Sequence, residues 1–176
     1  MTAMAAVCIR ALDPAAPAEI DRVAQGMQAT LIEVEGEVRG RALHSLEWLR
    51  ERVLWHLDHP CAAVWLAVQG TEVLGHSLVR AEPPGPEETL PVGAWGLVTT
   101  SYVWPPARRR GIARQLLLHD EAWMRARGLS HARTWTGANN HPLIALYERH
   151  GYAITQRAAH ASGSPMLCLS RSLAAA

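Results

Sequence analysis

Lysine and phenylalanine are both missing from this 176-residue chain; all 17 basic side chains are arginines. Without lysine there is no phosphate loop of the GxxxxGK[ST] type. A basic excess is also lacking. The 17 basic and 16 acidic residues leave a formal charge of +1 and an isoelectric point near 7.9, which argues against a nucleic-acid partner. No stretch approaches the ~20 apolar residues that span a bilayer, so no membrane partner is expected. The start, Met1 to Arg10, lacks the basic and long apolar segments of a secretory signal, so the expected place is the cytoplasm. Cys8, Cys61 and Cys168 are odd in number and show no CxxC spacing, which points to buried, reduced thiols and not to a disulfide framework. The nine histidines form no HExxH or His/Cys pair, and His56 and His59 stand at a helix end before Pro60, so no metal is expected.

What is present is a folded chain. It is 49% hydrophobic and 19% charged, enough to bury a core as one domain over residues 1–176. Its Arg- and Ala-rich usage points to a GC-rich bacterial genome. Residues 7–12 read as a strand, and a helix follows from Pro17 through Val23, Met27 and Leu31. A polar segment covers 33–40, and a second helix covers 42–57 with Leu46, Leu49, Val53 and Leu57 inward. Strands at 62–68 and 72–80 flank the turn Gln69-Gly70, a loop covers 83–88, and a long strand covers 95–104. A helix at 111–127, a strand at 131–136, a helix at 142–150 and strands at 152–155 and 166–169 complete the order. The order β-α-α-β-β-β-α-β-α-β-β gives an α/β (α+β) fold, a mixed sheet with helices on both faces.

The junction Val103-Trp104-Pro105-Pro106-Ala107-Arg108-Arg109-Arg110-Gly111-Ile112-Ala113 carries the most chemistry. A strand runs through a turn directly into a helix. Gly111 and Ala113 leave room for a ligand at the backbone, and free N–H groups at the helix start bind anions. Three consecutive arginines add positive charge. The combination suits a diphosphate; the other reading of the same residues is a solvated, Arg-rich helix cap.

The pattern Arg108-x-x-Gly111-x-Ala113, after Val103-Trp104-Pro105, resembles the phosphate loop of the GNAT superfamily of N-acetyltransferases. The segment from Asn140 to Tyr152 is similar to that family's N-x-x-A-x-x-LYE-x-x-G[FY] pattern, with Leu143 where alanine is common. The resemblance covers residues 95–156, with 13–60 as the variable acceptor side. It implies a GNAT-like, mainly antiparallel sheet of about six to seven strands and acetyl-CoA as acyl donor, with no metal. Arg108, Arg109, Arg110, Gly111, Ile112, Ala113 and Arg114 would hold the pyrophosphate. Tyr102, Val103, Asn140 and Tyr147 would complete the donor site where the strand 95–104 splays from 131–136.

A neutral amine would attack the thioester, a backbone N–H near Val103 would stabilise the oxyanion, and Tyr147 would protonate the leaving thiolate. The other role open to Tyr147 is packing. No carboxylate lies on 95–103, so Thr99 and Ser101, on one face of that strand, are expected to hold a water chain for proton exit. His76, His44, Glu82 and the acids from Glu33 to Glu37 are further candidates for the base. Glu33, Glu35 and Glu37, with Glu82, Glu87 and Glu88, suggest a small cationic amine as acceptor. Glu33, Glu37, His44 and Glu82 are the candidate acceptor residues, and Trp48, Trp55, Trp95 and Trp104 candidate cleft walls. Other classes that fit are a protein or peptide N-acetyltransferase and a non-catalytic acyl-CoA-binding module. Homodimerisation is open.

Overall fold

In the computed structural model, residues 5–82 and 95–174 are described. The loop expected at 83–88, with Glu87 and Glu88, lies outside them. Strand β1 (Cys8–Ala11) leads to helix α1 (Pro17–Glu35), with proline in the first turn, where its missing N–H leaves no helical bond unmade. The segment expected to be polar and irregular is instead helical. Helix α1 runs on to Glu35, α2 (Glu37–Leu43) follows after Gly36, and α3 (Leu46–Asp58) starts after Ser45. The Ser45 hydroxyl accepts the Trp48 N–H at 3.1 Å, a helix cap that splits the single helix expected at 42–57.

Strands β2 (Ala62–Gln69) and β3 (Glu72–Glu82) form the expected hairpin, and β4 (Trp95–Val103) pairs with β3. A 3₁₀ turn (Pro105–Ala107) then leads to α4 (Ile112–Ala126), β5 (His131–Gly137) and α5 (His141–Arg149). Strands β6 (Ala153–Ala159) and β7 (Pro165–Ser172) are longer than the sequence suggested. The seven strands lie in the order β1-β2-β3-β4-β5-β7-β6 and are antiparallel except for β4–β5. No helix among the described residues is long and apolar enough to cross a membrane. Cys168 is buried as expected. Cys8 on edge strand β1 and Cys61 in the turn after α3 are exposed, contrary to the expectation that all three are buried.

Alternate side chains of the central strands go to opposite faces. Val64, Leu66 and Leu78 pack with Ile20, Val23 and Val53 of α1 and α3. Val79 and Val98 pack with Leu117 and Met124 of α4 and with Tyr147 of α5. Helix α1 approaches the sheet closely at Gly26. A Cβ there would stand 2.7 Å from His76 Cε1 and 3.2 Å from Tyr102 Cδ1. That contact seals His76, which is buried with its Nε2 unpartnered, and burial pushes its pKa down to about 3. Gly26→Val should therefore lower stability by about 1–3 kcal/mol through overpacking. The measurement is the urea midpoint at unchanged slope; a midpoint equal to wild type would contradict this packing.

Candidate active site

Strands β4 and β5 pair only at Trp95–Val98 with His131–Thr134. Beyond that they separate, and Thr134 Oγ1 donates to the Val98 carbonyl at 3.0 Å where the gap begins. Trp104 N–H bonds to Leu74 O on the β3 side. Strand alternation then turns the N–H and C=O groups of Val103 and Ser101 into the gap. The Val103 carbonyl accepts Arg108 Nε at 2.9 Å. A bulge between Leu78 and Val79 shifts the β3–β4 register. Thr99 and Ser101, expected on one face of the strand, both line the smaller of two cavities here but have different partners. Ser101 stands opposite Ser77, whose hydroxyl meets α4, whereas Thr99 Oγ1 donates to Leu78 O and lies 3.4 Å from His56 Nε2 of α3. His56 is buried, and desolvation lowers its pKa to about 4, so its ring is neutral.

Two cavities meet at this gap. The larger, about 770 Å³, is lined by Tyr102, Val103, the start of α4 and the α5 side chains Leu143, Tyr147 and Arg149. Gly111 caps α4 with φ of +75° and no side-chain cap bond, and nothing lies within 4 Å of where its Cβ would be. The first N–H groups of this 15-residue helix thus face an open cradle. Arg109 also has positive φ, a conformation that curls successive N–H groups inward. Arg108, Arg109, Arg114 and Arg149 line the cavity against a single acid, Glu33. A long polyanion fits such a surface.

The arginines are not equivalent. Arg108 bonds to Glu33 at 2.5 Å and lies 5.3 Å from the Tyr102 ring centre, so it ties the junction to α1. Arg110 does not line the cavity; its guanidinium donates to Gln69 in the β2–β3 turn at 3.0 Å. Ile112, expected at the ligand, also has its side chain in the core, where it anchors the helix start. Tyr102 donates to Glu33 at 3.3 Å, and Asn140 donates to Thr136 at 3.1 Å between the two cavities.

The smaller cavity, about 240 Å³, lies on the α1–α3 side, with Thr30, Val34, Ser101, Asn140 and Leu143 common to both. Its walls include Trp48, His44, Trp135, Leu31 and Leu49. His44 stacks on Trp48 at 3.9 Å between ring centres, and its pKa is lowered first by burial, then by the charge of His160. Glu35 reaches this cavity and accepts from Ser164 at 2.8 Å. Two expected acceptor acids stand outside both cavities. Glu37 pairs with Arg41 on the exposed face of α2, and Glu82 pairs with Arg80 and Arg133 where β3 meets the closed end of β4–β5. His76, under α1, lines neither. Of the expected walls, Trp48 lines the smaller cavity. Trp95 stacks on His131, Trp104 lies under Arg22, and Trp55 packs by His59.

Tyr147 is buried in the core yet lines the larger cavity; burial drives its phenol pKa up, and its hydroxyl bonds to Thr134. Sequence reasoning missed a buried acid of α4. Asp120 is 1% exposed and accepts the Ser77 hydroxyl at 2.8 Å; burial pushes its carboxyl up to about 8. The legible signal was an acid on the inner stripe of α4, between Leu116 and Met124. Among the described residues no group of three or more His, Cys, Asp or Glu could hold a metal ion.

A family model described as acetyltransferase (GNAT) family matches residues 27–152. The fold is similar to the ribosomal-protein-S18-alanine N-acetyltransferase of Escherichia coli, with a TM-score of 0.68, 15% identity and coverage of 97% of this chain and 96% of that one. It is also similar to Arabidopsis thaliana NAA60 in complex with acetyl-CoA, with a TM-score of 0.70, 16% identity and coverage of 95% and 99%. A third is the PaiA N-acetyltransferase of Thermoplasma acidophilum in complex with coenzyme A, with a TM-score of 0.68, 15% identity and coverage of 93% and 98%. No curated protein matches the sequence.

Gly111→Val forces a β-branched residue to hold positive φ, a strain of about 1–3 kcal/mol that the backbone relieves by leaving the cradle geometry. Affinity for coenzyme A by calorimetry should fall about tenfold or more, since 1.4 kcal/mol is a factor of ten. Wild-type affinity with the fold intact would remove the helix start from the donor site.

Proposed function

This chain belongs to the GNAT acetyltransferase family, and from that premise we propose that it transfers the acetyl group of acetyl-CoA to the primary amine of a small molecule seated beside Trp48. The observation that carries this reading is the meeting of two unequal cavities at Ser101 and Asn140. The larger is long and cationic, suited to the donor. The N–H groups at Gly111–Arg114 bind the pyrophosphate, with Arg109 and Arg114 adding charge. The open edge of β4 offers Val103 and Ser101 backbone groups to the amides of the pantetheine arm. The Val103 N–H stabilises the oxyanion that forms as the amine attacks. Tyr147 lines the donor cavity and gives a proton to the departing sulfur.

The smaller cavity sets the acceptor. At about 240 Å³ it lies below the ~300–1,000 Å³ of drug-sized sites, so the acceptor is small. An amine with a pKa near ~10 arrives as an ammonium ion. Glu35 lies at this cavity, and Glu33 lines the donor side. Glu33 already meets Arg108, Glu37 meets Arg41 and Glu35 lies 3.9 Å from Arg39, so the site suits one positive charge better than several. The stacked His44 and Trp48, with Trp135, suit a flat apolar body. His44, kept neutral by burial, takes the ammonium proton and passes it to water.

Thiol release from acetyl-CoA should be measured with an arylalkyl monoamine, a polyamine and a short peptide. The monoamine should have the highest kcat/KM, by roughly tenfold, and Trp48→Ala should abolish that preference, since one aromatic contact supplies about 0.5–1.5 kcal/mol. Tyr147→Phe should lower kcat by about 10²–10⁴ with acetyl-CoA affinity kept. A preference for the polyamine or the peptide would overturn the acceptor reading, and a wild-type rate for Tyr147→Phe would return that residue to packing.

A further inference from the structure

We propose that the Thr99 hydroxyl accepts a hydrogen bond from the far end of the acceptor molecule, so that the preferred acceptor is an arylalkylamine whose ring carries an O–H or N–H. This rests on the reading of the smaller cavity as the acceptor seat and narrows the class of molecule it takes.

Thr99 owes its place to the bulge. Leu78 stands opposite Thr100 and Val79 opposite Val98, so Thr99 is the extra residue of β4, with no partner on β3. A bulge re-aims side chains. Leu78 packs against α1 and α3, and residues directly opposite share a face, so Thr100 points to that side. Thr99 Oγ1 meets His56 of α3, so it points there too. Both threonines line the smaller cavity. Regular alternation would have sent one of the two to the α4 side.

The groups around Thr99 fix what its hydroxyl can offer. His56 Nδ1 lies 2.8 Å from the Arg52 carbonyl, which only accepts, so Nδ1 carries the ring proton. The ring is buried and neutral, so Nε2 carries none. Thr99 Oγ1 therefore faces two acceptors, Nε2 at 3.4 Å and the Leu78 carbonyl at 3.2 Å. Its single proton goes to one of them. Among the described residues no group donates to Thr99 Oγ1. A lone pair is what remains for the cavity, so this position reads a donor. Thr100 Oγ1, on the adjoining residue, is buried with no partner, so the polar capacity of this floor is not used up within the protein.

Position decides which part of the acceptor is read. The attacking nitrogen must reach the thioester in the larger cavity, so it sits where the cavities meet, at Ser101. Thr99 lies two residues nearer the fork, roughly 7 Å along the strand. That is too far for the attacking nitrogen itself. An ethylamine arm and one ring span such an interval and bring the far edge of the ring to Thr99. Trp48, His44 and Trp135 line the same cavity and offer the ring its walls.

The test is kcat and KM of wild type with phenethylamine, 4-hydroxyphenethylamine and 4-methylphenethylamine at saturating acetyl-CoA. The methyl group matches the hydroxyl in size and donates nothing. The hydroxy compound should exceed both others in kcat/KM by about three- to tenfold, the yield of one neutral hydrogen bond. The gain should lie in KM, because the bond is remote from the reacting atoms. Thr99→Val deletes the hydroxyl at nearly constant shape. It should bring the three compounds within about twofold, with coenzyme A affinity unchanged, while Thr99→Ser keeps the wild-type order. Thr99→Ala makes the same deletion should the valine variant fail to fold. A methyl compound equal to or better than the hydroxy compound in wild type, or a hydroxyl preference kept in Thr99→Val or Thr99→Ala, would overturn the role of Thr99 and leave the seat beside Trp48 standing. Turnover of a peptide with none of the three amines would overturn the seat itself, and this inference with it.

Discussion

Everything in the site depends on the break between β4 and β5. Buried N–H and C=O groups must find partners. The two strands satisfy each other only as far as Val98 and Thr134, where Thr134 also clamps the Val98 carbonyl. Past that fork β4 is held by β3 and β5 by β7, and the facing edges stay open. An open, concave strand edge suits an extended ligand that carries amides of its own. At this gap the cavity on the α4 face meets the one on the α1–α3 face, with Ser101 and Asn140 lining both.

Electrostatics divides the two faces. The α4 side gathers arginines, a helix N-terminus and the positive-φ turn at Arg109 around one acid. On the α1–α3 side most charges cancel locally, as in Glu37 with Arg41, and aromatic rings form the wall. On the α4 side the core also buries polar groups, Ser77, Asp120, Glu121, Tyr147 and Tyr152. Burial with incomplete pairing is what shifts titration there, and such shifts cluster where proton transfer is required.

The junction from Val103 to Ala113 was legible in sequence because its parts are local: a strand, a proline stop, a glycine and a helix start. The 3.6-residue stripe of α4 and the Asn140–Tyr152 segment were legible for the same reason. The acceptor side was not. The α1–α2–α3 boundaries depend on Gly36 and on the Ser45 cap, weak signals inside a helical pattern. The acids Glu33, Glu35 and Glu37 look alike in sequence. Their differing fates depend on where the fold sends them: Glu33 to Arg108 of the junction, Glu35 to Ser164 with Arg39 3.9 Å away, and Glu37 to Arg41 one turn on along exposed α2. The bulge that gives Thr99 and Ser101 different partners is a matter of β3–β4 register that strand periodicity cannot show.

Amide hydrogen exchange with and without coenzyme A tests whether the open edge of β4 and the start of α4 together form the donor site. Exchange should slow at Ser101 and Val103 and at Gly111 to Arg114 when coenzyme A is added, and should stay unchanged in the β2–β3 turn. Protection confined to other segments, with Val103 and Gly111 exchanging as fast as in the free protein, would contradict it.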